Sequence, residues 1–215
     1  THNLAAPPFN FFDRALLPAL SRAGVSAHAR LERHGFYPAG GGRIVVEIGP
    51  ATTPRPIHIP ARGNRVSERI TTIVSRLPSS IAIREAEVLC DRLSISPANV
   101  ELVALRDTPS PGNAAIVELH FEHITEVFSA IGRIEMSAER VARDLADEVR
   151  EYIAAEKPVG PHLADQLMVP MAMLAGGSYA TGPLTEHSRT NIDTARMFGV
   201  DVSHQDGMVT VQPVR

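Results

Sequence analysis

The sequence predicts a protein mixing helices and sheets, of the α/β or α+β class, in which two outer segments enclose an inserted unit. Three observations carry this expectation. Helical spacing and strict two-residue alternation take turns along the chain. Proline and glycine cluster at 50–64 and again at Pro158, Gly160 and Pro161, marking two boundaries. Between those boundaries, 64–157 carries strand and helix signals of its own.

The first element is a helix over 8–22, because Phe11, Phe12, Ala15, Leu16, Ala19 and Leu20 recur at helical spacing. Pro18 is expected to kink it. Over 25–33, Val25, Ala27, Ala29 and Leu31 alternate with Ser26, His28, Arg30 and Glu32, the pattern of a half-buried strand. A glycine-rich turn leads to a second strand from Arg43 to Ile48. Pro50, Pro54, Pro56, Pro60 and Gly63 then read as a boundary. Inside the insert a strand is expected over 66–76, and Pro78 and Ser79 open a helix with Ala82, Ala86, Leu89, Cys90 and Leu93 on one stripe. Strands follow at 100–105, 114–121 and 125–132. Ser137 caps a long helix whose Val141, Leu145, Val149 and Ile153 face a core. The last segment reads as helix 163–175, strand 177–181, helix 187–198 and a hairpin turning at Asp206-Gly207.

Composition narrows the function. A 44% apolar fraction with mixed charges fits a folded chain, and no apolar run approaches the roughly 20 residues that span a bilayer. The net charge of −3 and low aromatic content argue against broad coating of nucleic acid, which needs basic surface and stacking platforms. They leave room for an enzyme that grips one RNA end. The single cysteine, Cys90, rules out an internal disulfide framework and fits a reducing, cytoplasmic setting. It falls on an apolar stripe, as a buried inert thiol would. Met168, Met171 and Met173 read as core filling. His120 and His123 have a metal-like spacing, but on a strand they point to opposite faces and lack a third ligand, so no metal ligand is assigned.

One run stands apart. His34-Gly35-Phe36-Tyr37-Pro38-Ala39-Gly40-Gly41-Gly42-Arg43-Ile44 combines a basic residue, a glycine, a proline, three glycines and an aliphatic residue at fixed spacing. It resembles the signature of the RNA 3'-terminal phosphate cyclase family. His162-Leu163-Ala164-Asp165-Gln166-Leu167 and His187-Ser188-Arg189-Thr190-Asn191 are similar to two further family segments, in the family's order. The opening Ala5-Ala6-Pro7-Pro8 and the 64–157 stretch add weaker similarity.

The resemblance implies an α+β fold. Units of two helices on a four-stranded sheet would repeat to form a large domain, here 1–63 and 158–215. A smaller α/β domain, 64–157, would interrupt it. Further repeats are expected upstream of Thr1. The implied activity converts an RNA 3'-phosphate to a 2',3'-cyclic phosphate with ATP and a divalent cation, Mg or Mn. The implied partners are ATP and RNA with a 3'-phosphate end, with no membrane. A phosphate monoester cyclises poorly because oxide is a poor leaving group. AMP attached to it is a good one, and the adjacent 2'-hydroxyl then attacks with the advantage of proximity. Neutral imidazole suits the task of first taking AMP from ATP.

The resemblance assigns that nucleophile to His187. Its place at a helix start favours a nearby phosphate. Asn191, four residues on, shares its face. His162, Leu163, Ala164, Asp165 and Gln166 would line the ATP site, and Pro7 and Pro8 would wall the adenine. His162 stands where tyrosine is expected in relatives. His34, Arg43 and Gly40–Gly42 would meet phosphates or simply form a turn. Without the resemblance, the better reading of His187 is a surface residue that caps a helix, and the family match reverses that preference. The rival reading is a non-catalytic, cyclase-like ribosome-assembly protein, a branch that lacks the nucleophilic histidine. An enolpyruvyl transferase is a weaker third, disfavoured by the glycine signature.

Overall fold

The structure is a computed structural model, and it describes residues 1–4, 6–50 and 52–214. Ala5, in the opening run of family similarity, lies outside the described residues.

The first helix is one continuous rod of three stretches: α1 (Phe9–Phe11), a π-helical turn (Phe12–Leu16) and α2 (Leu17–Ser21). Phe11, Ala15, Leu16 and Ala19 are its buried side. The irregularity expected at Pro18 appears just before it. The Leu17 N–H reaches the Phe12 carbonyl, a wider turn than the α-helix uses. β1 (Ala27–Arg33) and β2 (Arg43–Ile48) pair antiparallel as a two-stranded ribbon.

Residues 65–155 build a four-stranded sheet in the order β5-β4-β6-β7. Its strands are β4 (Arg65–Ser75), β5 (Val100–Leu105), β6 (Gly112–Phe121) and β7 (Thr125–Ile131). The crossover from β4 to its parallel neighbour β5 carries α3 (Ser79–Leu93). α4 (Ala138–Ala155) packs beside α3 on the same side of the sheet. Ser137 caps α4 as its sequence predicts, accepting from the Arg140 N–H at 3.2 Å.

Ala115, Val117 and Leu119 of β6 meet Leu89, Leu145 and Val149 on that side. Ala114 and Ile116, alternating with them, turn to the other side and join a core with Phe11, Ala15 and Phe36. The β4 to β7 sheet therefore shares one face with the segments that precede and follow it. A strand buried on both faces loses its alternation and reads as a continuous apolar run, as β6 does.

The second four-stranded sheet runs β3-β8-β10-β9. It contains β3 (Ile57–Ile59), β8 (Gly177–Ala180), β9 (Val202–Gln205) and β10 (Met208–Val211), with α5 (Pro161–Met173) and α6 (Glu186–Met197) packed against it. The expected hairpin turns at Asp206 and Gly207, both with positive φ. The described residues thus hold two four-stranded sheets, each with two helices packed against it.

Several sequence expectations need correction. The stretch 50–64 is more than a boundary: between Pro56 and Pro60 it hides β3, whose Ile57 and Ile59 are among the most buried side chains. α5 begins at Pro161, because proline fits a first helical turn, and it ends at Met173. Met168 and Met171 fill the core, but Met173 is 75% exposed. His123 follows β6 in a turn, so the two histidines do not share a strand. Cys90 is half-buried against apolar neighbours, which push its thiol pKa up.

Candidate functional site

The ends of two helices make the corner on which the site stands. α6 opens at Thr185, whose hydroxyl accepts the Ser188 N–H at 2.9 Å. His187 is the second residue of α6 and is exposed. Its ring makes no hydrogen bond or ion pair among the described residues. Asp165, one turn into α5, accepts from the buried Ser188 hydroxyl and, at 3.4 Å, from the Thr185 hydroxyl. Asn191 Nδ2 donates to the Asp165 carbonyl at 3.3 Å. These bonds tie the α5 start to the α6 start, so His187, Asp165 and Asn191 sit in one fixed arrangement. Tyr179 of β8 adds a bond from its hydroxyl to the Ala164 carbonyl at 2.8 Å, holding α5 on its sheet.

The start of α5 is also held from β7 and α4. The Gly160 N–H donates to the buried Glu126 carboxyl at 2.7 Å. Burial pushes the Glu126 pKa up to about 8, against the opposing pull of that bond. His162 Nε2 lies 3.0 Å from Glu148 of α4, and this bond raises the imidazole pKa.

A cleft of about 640 Å³ opens at the corner, within the size range of small-molecule sites. Its walls include His162, Asp165, Gln166, His187 and Asn191 from the two helices, Pro7 from the opening segment, Ser129 from β7, Arg133 just after it and Asp144 from α4. Six of the sequence-assigned residues thus converge.

Three do not. Leu163 and Ala164 are sealed in the core, because helical spacing turns them away from the cleft that His162, Asp165 and Gln166 face. Pro8 is buried and does not line the cleft; its neighbour Pro7 does. The glycine signature lies elsewhere too. Arg43 pairs with Glu32 at 2.9 Å, and the His34 ring stacks on His2. Gly41, at positive φ, packs so close to Pro109 that an added Cβ would sit 2.6 Å from its ring. That loop serves as a tight structural turn. Arg133, Ser129 and Asp144 carry no motif, and only the fold brings them to the site.

Among the described residues, no three histidine, cysteine, aspartate or glutamate side chains converge to hold a metal ion. Asp144 is engaged by Arg140 at 2.7 Å, and Asp165 by Ser188. No described helix is long and apolar enough to cross a membrane.

The sequence profile described as RNA 3'-terminal phosphate cyclase matches residues 1–203. Among curated proteins, the chain is 37% identical to the "RNA 3'-terminal phosphate cyclase" of Koribacter versatilis over 198 residues, covering 92% of this chain and 56% of that relative. It is 39% identical to proteins of the same name from Ectopseudomonas mendocina and Pseudomonas fluorescens, covering 92% of this chain and 58% of each. The chain therefore spans a little over half the length of these relatives.

Proposed function

Because the chain belongs to the RNA 3'-terminal phosphate cyclase family, we propose that it supplies the nucleotide-carrying half of an ATP-dependent cyclase and that His187 is the group that carries AMP. One observation carries this reading. An exposed imidazole without a partner among the described residues sits at a helix start, on a cleft large enough for a nucleotide, beside polar groups locked in place.

In this reading, a ring nitrogen of His187 attacks the α-phosphorus of ATP. A P–N bond forms, the bond to the bridging oxygen breaks, and pyrophosphate leaves. An oxygen of the RNA 3'-phosphate then attacks the same phosphorus and frees the imidazole. The 2'-hydroxyl oxygen, losing its proton, closes on the RNA phosphate and expels AMP. The free amides at the start of α6 suit phosphate oxygens. Asp165 and Gln166 offer hydrogen bonds to ribose or base. His162 lines the cleft with its ring engaged by Glu148, and a stacking role would draw on the imidazole face. A divalent cation would travel with the triphosphate, and no step above is assigned to one.

Incubating the full-length polypeptide with α-labelled ATP tests the proposal. Acid-labile label should appear and should fall by roughly a thousandfold or more in His187→Ala, as for loss of other covalent nucleophiles. Equal labelling of the two proteins would refute the assignment. The 215-residue chain alone should label poorly, since it spans little more than half of its relatives.

A further inference from the structure

The signature loop takes no part in the His187 cleft, yet Phe36, Tyr37 and Pro38 of that loop line a second cleft of about 710 Å³. The two clefts share Leu4, Ile131, Arg133, Met136 and Val141 as a common wall. The second is largely apolar, and the charged residues on its lining are two arginines, Arg84 and Arg133. Arg84 is occupied by Glu139 at 2.9 Å. Arg133 is exposed, and its side chain makes no hydrogen bond or ion pair among the described residues. The Tyr37 ring is 64% exposed.

We infer that the second cleft seats the terminal nucleoside of the RNA, with Arg133 on the shared wall gripping its 3'-phosphate. This rests on the reading of the His187 cleft given above. An apolar hollow with an exposed aromatic ring suits an unstacked base, which single-stranded RNA presents at its end. An unpaired guanidinium suits a phosphate, because its planar fork donates two parallel bonds. Continuity supplies the rest of the argument. A phosphate at the common wall lies between a nucleoside on one side and the imidazole-bearing cleft on the other, the order the reaction needs. It also gives the glycine signature a purpose: its tight turn presents Tyr37 and Pro38 to the RNA.

The test measures binding of short fluorescent RNAs, ending in a 3'-phosphate or a 3'-hydroxyl, to the full-length protein without ATP. Arg133→Ala should weaken the 3'-phosphorylated RNA by roughly tenfold or more, the size of a charge-assisted contact, and the 3'-hydroxyl RNA much less. Arg133→Lys should recover part of the loss. Tyr37→Ala should weaken both RNAs alike. Loss of the same factor for both RNAs in Arg133→Ala, or no loss, would overturn the inference, as would a wild-type protein indifferent to the 3' end. ATP labelling of the wild-type protein is scored separately. RNA binding in the expected pattern without any label would keep the seat and remove the histidine-AMP chemistry.

Discussion

The corner formed by α5 and α6 and the sheet of β4 to β7 place ionisable groups in opposite ways. At the corner, His187 is exposed and free of partners among the described residues, while its neighbours are fastened to one another. In that sheet and the helices on it, Glu126 and Glu85 are sealed inside. Glu126 is held by the Gly160 N–H and Glu85 by the Asn113 side chain, and burial drives both pKa values up to about 8. A reactive group is left accessible on a rigid mount, and a structural group is hidden and kept uncharged. Changes at the corner should therefore alter chemistry, and changes among the buried groups of the β4 to β7 sheet should alter stability.

The largest effect expected in the β4 to β7 region is at Leu145, which is 1% exposed between α4 and the sheet. Leu145→Ala should destabilise the protein by about 2–5 kcal/mol in chemical denaturation. The protein that stays folded should still take label from ATP at the wild-type rate. Loss of labelling in proportion to each lost methylene, with stability intact, would break the contrast.

The next effect is pH-dependent. Glu126 and Glu85 ionise near 4.5 when unfolded but near 8 in the fold. Between those values the native state binds more protons than the unfolded chain, so stability should fall as pH rises through that window. Glu126→Gln keeps an acceptor for the Gly160 N–H and removes one ionisation. Its denaturation midpoint should decline less steeply from pH 5 to pH 8 than that of the wild type. Identical slopes would mean that Glu126 is charged in the fold.

The smallest effect concerns the exposed pair of Arg92 and Asp147, 2.8 Å apart on α3 and α4. A double-mutant cycle should give a coupling below about 1 kcal/mol, because solvent screens such pairs. A larger value would mean that the two helices rely on charge as well as on their apolar seam.

What the sequence revealed follows the physics of each element. α4 was legible throughout, because a one-sided helix repeats its apolar positions and Ser137 announces its start. β3 was not, since three residues between prolines carry no period and gain their place from β8 alongside. The site split in the same way. His187, Asp165, Gln166 and Asn191 came through family resemblance and meet in one cleft. Leu163 and Ala164 came with them because a motif is contiguous in sequence, whereas a helix presents only part of it to a cleft. Arg133 follows no pattern at all, because a turn at the end of a strand is aimed by packing that a linear reading does not contain.

The bonds from Thr185 and Ser188 to Asp165 bear on how such proteins diverge. A carboxyl that organises the opening of another helix cannot drift alone. Descendants that exchange it should also exchange the hydroxyls at 185 and 188, so the three positions are expected to change together across a lineage, however freely the surfaces around them vary.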